Sequence, residues 1–276
     1  MAPKIADRAA QALIAVPGIE AVALGGSHCT GTAQDMSDVD LGVYYNGSFD
    51  TGRMEEVLRE LDDQKRDGLL NKPGEWGKWI NGGAWLTVDG VKTDILFRET
   101  GRVSQVIDDC QQGKLTVDFQ AGHPFGFVNA IYMGEVKSCI PLCDPQGALG
   151  KLKELAQTPS QAYRSAASNW FLWEAGFSFQ TGRSSIAKQD VVYASGSLFK
   201  GIICLVQALF AANGEILLNE KGALKRLARF DFCPPGFVQA AEAVLEGLNK
   251  DRLRSCFDTM EEQYREVSRI IGNGEA

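Results

Sequence analysis

Apolar positions in the first hundred residues follow two periods in turn. Ile5, Ala9, Ala12, Leu13 and Val16 recur at helical spacing, and Pro17-Gly18 stops that helix before a strand-like run over 19–24. Gly25-Gly26 then turns the chain, and Ser27 is placed to cap a short helix running toward Ala33. Val39, Leu41 and Val43 alternate with Asp38, Asp40 and Gly42, the period of a strand. Both carboxylates are therefore expected on one strand face, about 7 Å apart along it. Residues 51–61 read as an amphipathic helix and 71–84 as a loop rich in Gly and Trp. Two further strand-like runs, 84–88 and 91–97, flank Asp89-Gly90, a pair suited to a hairpin turn because both central positions need positive φ. That hairpin sets Asp94 on its second strand, with Ile95 and Phe97 on the opposite face.

A helix is expected from 98 to 110, then an irregular region around Gly122-His123-Pro124, with breakers at Asp144-Pro145 and Thr158-Pro159. From Ser160 onward the period is helical almost throughout, over 162–180, 187–211, 220–230, 237–248 and 250–271. The change of pattern predicts an α/β (α+β) domain with a mixed sheet over 1–150, followed by an all-α helical bundle over 151–276, the boundary falling between Gln146 and Ser160. The most apolar stretch, 198–212, carries Lys200 and Gln207, is too short to span a bilayer, and reads as a buried helix.

Composition narrows the function. The net charge of -7, with acidic and basic residues interspersed, gives no basic face for nucleic acid, so a nucleotide or another small molecule is the expected partner. Seven scattered cysteines argue against a disulfide framework and for a reducing compartment, the cytoplasm. The run 9–24 is interrupted by Gln11, Pro17 and Glu20, which does not suit a signal peptide, and no membrane partner is expected.

The chemistry lies in the carboxylates. Two on one strand face repel each other, and a divalent cation removes that objection; oxygen ligands with room for water and phosphate suit Mg²⁺. With Asp94 on a neighbouring strand, two ions can share Asp38, Asp40 and Asp94. Gly26 and Ser27 would offer backbone N–H groups and a hydroxyl to phosphate. A P-loop is excluded, since Thr32 and Ala33 stand where Lys and Ser/Thr are required, and no dinucleotide fingerprint occurs. His28 lies beside Ser27, but sequence neighbours on a helix do not face each other, so no catalytic triad follows. Cys139 and Cys143 lack further ligands for a metal site and read as thiols. Trp76, Trp79 and Trp85 either wall an acceptor site or anchor their loop on the core.

Gly26-Ser27, the gap to Asp38-Val39-Asp40-Leu41, and the later strand bearing Asp94 resemble the DNA polymerase β-type nucleotidyltransferase superfamily. The helical half, with Leu209-Phe210-Ala211-Ala212-Asn213 and Asn219-Glu220-Lys221, resembles the C-terminal bundle of its aminoglycoside and lincosamide nucleotidyltransferases. The resemblance implies transfer of a nucleoside monophosphate, with ATP or another nucleoside triphosphate as co-substrate, to a hydroxyl of a small molecule such as an antibiotic, releasing pyrophosphate. It implies that Asp38 and Asp40 bind both metals, that Asp94 completes the metal acting on the acceptor hydroxyl, and that Gly26 and Ser27 hold the triphosphate. From the helical domain it implies cationic and aromatic contacts, for which Tyr193, Lys200 and Lys221 are the candidates. Two alternatives stay open: nucleotidylation (AMPylation) of a partner protein, and a nucleotide-sensing protein without turnover. Acceptor, base preference and oligomeric state are not legible from the sequence.

Overall fold

A computed structural model describes residues 2–29 and 38–273. In chain order the elements are α1 (Ala2–Ile14), β1 (Ile19–Leu24), α2 (Gly26–Cys29), β2 (Val39–Tyr45), α3 (Thr51–Leu61), β3 (Gly83–Val88), β4 (Val91–Glu99) and α4 (Thr100–Gln111). Then follow β5 (Val117–Asp118), β6 (Phe127–Val128), α5 (Ala130–Ser138), β7 (Ile140–Cys143), α6 (Ala148–Ala156), α7 (Gln161–Gly182), α8 (Ser184–Lys188) and α9 (Val191–Ala212). The chain ends with α10 (Ala223–Leu227), α11 (Phe237–Glu246), a 3-10 turn (Lys250–Arg252) and α12 (Leu253–Asn273). Two compact units result, one of Met1–Asp108 with Asn129–Gln157, the other of Asp109–Val128 with Thr158–Ala276.

The first unit is built on a five-stranded mixed sheet, ordered β3-β4-β2-β1-β7. Only β2 and β4 run parallel; the other neighbours are antiparallel. Alternation along the strands sends Val39, Leu41 and Val43 of β2, Ile95 and Phe97 of β4, and Ala84, Leu86 and Val88 of β3 into one core with α1 and α3. Helix α1 contributes Ile5, Ala9 and Leu13 to it. Helix α3 contributes Met54, Val57, Leu58 and Leu61, and starts where the Asp50 side chain accepts from the Arg53 backbone N–H at 2.9 Å.

The hairpin forms for the reason its sequence suggests. Asp89 and Gly90 take φ of 51° and 76°, the primed turn that matches strand twist. Asp63 fixes it, accepting from the N–H groups of Asp89 and Gly90 at 2.9 and 2.8 Å. Its neighbour Asp62 is fully buried and accepts from Arg66 Nε at 2.9 Å and from the Thr87 N–H at 3.1 Å, tying the end of α3 to β3. The Arg66 guanidinium holds the Asp62 carboxyl well below the usual carboxylate range. Its stabilising contribution is thus present at neutral pH and lost as pH falls through the acid range. Asp62→Ala leaves a buried N–H and an arginine without their acceptor and is expected to cost about 2 kcal/mol at pH 7 by urea unfolding. An unchanged midpoint would show that this tie adds nothing to the sheet.

The second unit is helical apart from the short β5–β6 ribbon. Its centre is the long pair α7 and α9, which approach closely at Gly201, where an added Cβ would fall 2.2 Å from the Phe179 ring. Ser160 and Asp190 cap these helices, accepting from the N–H groups of Tyr163 and Tyr193 at 3.0 Å each. Arg183 forks onto Glu261, with Nε to Oε1 at 2.5 Å, and also pairs with Asp258. The run expected to be one helix over 187–211 is two, because Gln189 ends α8 at φ 51° and Asp190 begins α9. The helix expected over 220–230 is only α10, entered through Gly222 at φ 67°. Helix α9 has 22 residues and is long and apolar enough to cross a membrane, but most of its most apolar stretch is buried inside the protein. The buried helix expected over 198–212 is its C-terminal part.

Candidate functional site

Strand β2 starts at Val39, so Asp38 precedes the strand as an exposed residue and Asp40 is its second position, half-buried. The parallel register pairs Asp40 with Asp94 on β4, and the antiparallel register pairs Asp94 with Trp85 on β3. Residues directly paired across a sheet share a face. Trp85, Asp94 and Asp40 therefore form one row, on the face away from the core that holds their neighbours Leu86, Ile95 and Leu41. At the β1 side of this row the chain leaves the sheet: the Gly25 N–H donates to the Asp40 carbonyl at 2.8 Å. Gly26 follows at φ 59°, and a Cβ placed there would lie 1.8 Å from Asp40 Oδ2. The glycine turn is thus seated directly against the carboxylate.

Electrostatics set Asp40 apart. Burial first, then Asp94 and Asp38, and to a smaller degree Glu135, push its carboxyl up to about 6, with His28 acting the other way. Asp94 is also raised, by burial and then by Asp38, with Lys92 opposing. Asp94 and Asp38 thus both bear on Asp40, and Asp38 on Asp94. Among the described residues, however, no three His, Cys, Asp or Glu side chains form a ready-made metal-binding group. Two crowded strand carboxylates, a third acid at their edge and a Cβ-free turn against one of them make an all-oxygen donor set that fits a hard divalent cation.

Below the row on the same face, Arg98 is buried and donates from Nε to Glu135 Oε2 and from its terminal nitrogen to Oε1, both at 3.0 Å. This fork ties β4 to α5, and the guanidinium lies 5.0 Å from the Tyr132 ring centre. Lys153 Nζ donates to the carbonyls of Val136, Lys137 and Cys139 at 3.0, 3.0 and 2.7 Å, closing the C-terminal end of α5. The floor of the site is in this way fixed by two cations. Neither pairing has a signal in the sequence, because both join residues far apart in the chain.

The remaining candidates fall in separate places. Ser27 lies in α2, but its side chain, like the helix expected to continue toward Ala33, falls outside the described residues. Tyr193, Lys200 and Lys221 belong to the second unit. Tyr193 is exposed on the first turn of α9, Lys200 pairs with Glu174 at 2.5 Å, and Lys221 is exposed ahead of α10. His123 stands 3.8 Å from Glu220 within that unit. All seven cysteines are free.

The three tryptophans divide. Trp79 is buried, its carbonyl accepts from the Tyr132 hydroxyl at 2.5 Å, and it anchors the loop. Trp76 stacks on Trp85 with ring centres 4.4 Å apart, and Trp85 stays 58% exposed. Its place beside Asp94 follows from counting back across the two-residue turn, a signal present in the sequence that reading Asp94 alone passes over.

Among solved structures, the chain is similar to a nucleotidyltransferase-like protein from Exiguobacterium sibiricum 255-15 at 11% identity, over 98% of this chain and 81% of that one, with a TM-score of 0.48. Comparison with curated protein sequences gives no match. Residues 7–112, which carry the glycine turn and all three strands of the carboxylate row, match the family model described as a nucleotidyltransferase domain.

Proposed function

We propose that the chain transfers a nucleoside monophosphate from a nucleoside triphosphate, ATP by the resemblance, to a hydroxyl of a small molecule. The observation that carries this reading is the register pair Asp40–Asp94 with Gly26 packed against Asp40. Asp38, Asp40 and Asp94 would hold Mg²⁺, which supplies neutralisation of the triphosphate and of the departing pyrophosphate. Gly26 lets the turn seat directly against Asp40, where any side chain would collide with the carboxylate. Asp94, between Asp40 and Trp85 in the row, is placed to take the proton of the attacking hydroxyl. The acceptor oxygen then bonds to the α-phosphorus as the bond to the bridging oxygen breaks and pyrophosphate leaves. In the second unit Tyr193 and Lys221 stay open while Lys200 is engaged by Glu174, so the reading rests on the first unit.

The test incubates the full chain with α-labelled nucleoside triphosphates, Mg²⁺ and a panel of hydroxylated acceptors. Label in an acceptor with matching pyrophosphate release, lost in Asp94→Asn, is the expected result. Neither label transfer nor pyrophosphate from any combination would refute it.

A further inference from the structure

We propose that the Trp76–Trp85 stack is the platform on which the acceptor rests, and that the acceptor therefore carries a flat ring next to the hydroxyl that is modified. The proposal rests on the nucleotidyl-transfer reading and deepens it. Its first support is position. Trp85, Asp94 and Asp40 occupy one row on one sheet face, Trp85 on the edge strand and Gly26 beyond Asp40 on the β1 side. Adjacent strands lie about 4.8 Å apart, so the indole root is about 5 Å from Asp94 and about 10 Å from Asp40.

The second support is the direction of the reaction. In-line displacement at phosphorus puts the attacking and leaving oxygens on opposite sides. With the triphosphate tail at the Gly26 end of the row, pyrophosphate leaves toward β1 and the hydroxyl attacks from the β4 and β3 end. That end is walled by the two indoles. A nucleobase is thereby disfavoured there, since the row assigns the acceptor to this side.

The third support is how the stack is built. Trp76 comes from the loop before β3 and lies over the sheet beside Gly83, where a Cβ would stand 1.9 Å from the Ile95 carbonyl and 3.0 Å from the Trp76 ring. Only a residue without a side chain leaves that space. The neighbouring Trp79 is buried and anchors the loop, so Trp76 is delivered from a fixed base. A packed pair of indoles that leaves 58% of Trp85 open beside a carboxylate offers a large apolar face with a polar group at its rim. Flat hydroxylated rings have that same division of surface.

The experiment measures calorimetric binding of two probes, 2-naphthyl β-D-glucoside and methyl β-D-glucoside, and separately of MgATP, to the full chain. The naphthyl probe is expected to bind the wild type at least tenfold more tightly than the methyl probe. Trp85→Leu should remove that preference, Trp85→Phe should restore most of it, and Trp173→Leu, at an exposed tryptophan of the second unit, should leave it unchanged. MgATP affinity should stay within about twofold in Trp85→Leu, which also reports that the variant is folded. Equal binding of both glucosides, a naphthyl preference indifferent to Trp85, or a tenfold loss of MgATP with the naphthyl preference kept would each overturn the proposal. Absence of MgATP binding by the wild type would instead sink the nucleotidyl-transfer reading, and the acceptor role with it.

Discussion

Replacing Asp40 with asparagine is expected to abolish transfer while making the metal-free protein more stable. The first half follows from its place: Asp40 is the inner carboxylate of the row, paired with Asp94 and pressed by Gly26. If Asp40 holds Mg²⁺ as proposed, loss of that ionic ligand removes several kcal/mol of charge stabilisation, on the order of 10³-fold in rate. The second half follows from burial and then from the crowding of Asp94 and Asp38. The Asp40 carboxyl rises from 3.8 to about 6 in the folded chain, so between those values the native state binds the extra proton. Wild-type stability is accordingly favoured below pH 4 and falls as pH rises through 6. Asparagine carries no charge and escapes that fall. Allowing for partial solvation, the variant should be about 1–2 kcal/mol more stable above pH 7 in chelator, the gap closing toward pH 4. Urea unfolding of both proteins across that range checks it. A variant no more stable than wild type at pH 7.5 would show that the Asp40 charge is not penalised by burial and its acidic neighbours.

Gly26→Ala should be nearly as damaging, by a different route. Its φ of 59° is left-handed, which alone costs an alanine about 1–2 kcal/mol. The new methyl would also begin 1.8 Å from Asp40 Oδ2, so either the turn or the carboxylate must move. A shift of about 1 Å in a reacting geometry is worth on the order of 10²-fold in rate. Gly25→Ala supplies the contrast, because a Cβ there meets the Asp40 carbonyl at 3.7 Å and the Asp40 Cβ at 4.0 Å, both ordinary contacts. Steady-state kinetics and thermal melts of the two variants separate the cases. Equal activity in both would remove the close approach of Gly26 from the account of the site.

Where local chemistry decided the outcome, the sequence was readable. Asp89-Gly90 permits one kind of turn, and from it follow the strands on either side, the outward placing of Asp94 and the burial of Ile95. Pro17-Gly18 marked the end of the first helix for an equally local reason. Pairing between distant segments was not readable. Nothing in β2 or β4 by itself announces that Asp40 meets Asp94, since parallel register is fixed by packing over the whole sheet. The stretch from 115 to 157 was harder still. Its strands are short, β7 contains Pro141 and lies at the sheet edge, and α5 is buried nearly all round, so it lacks the one-sided pattern that marks a surface helix. Asp38 was placed one residue too deep, because alternation continues past the point where backbone pairing stops.

The mixed connectivity of the sheet also bears on how the molecule is assembled in time. Strands β3 and β4 are joined by two residues, and such hairpins close in microseconds. The β2–β4 ladder joins segments separated by α3 and the tryptophan loop, and loop-closure entropy delays contacts of that kind. Trp85 and Asp94 are thus neighbours from an early stage of folding, whereas Asp40 reaches them only when the slower pairing zips. The repulsion between the two acids is encountered at that late step, and a cation that relieves it would hasten the closing of the sheet as well as occupy the finished site.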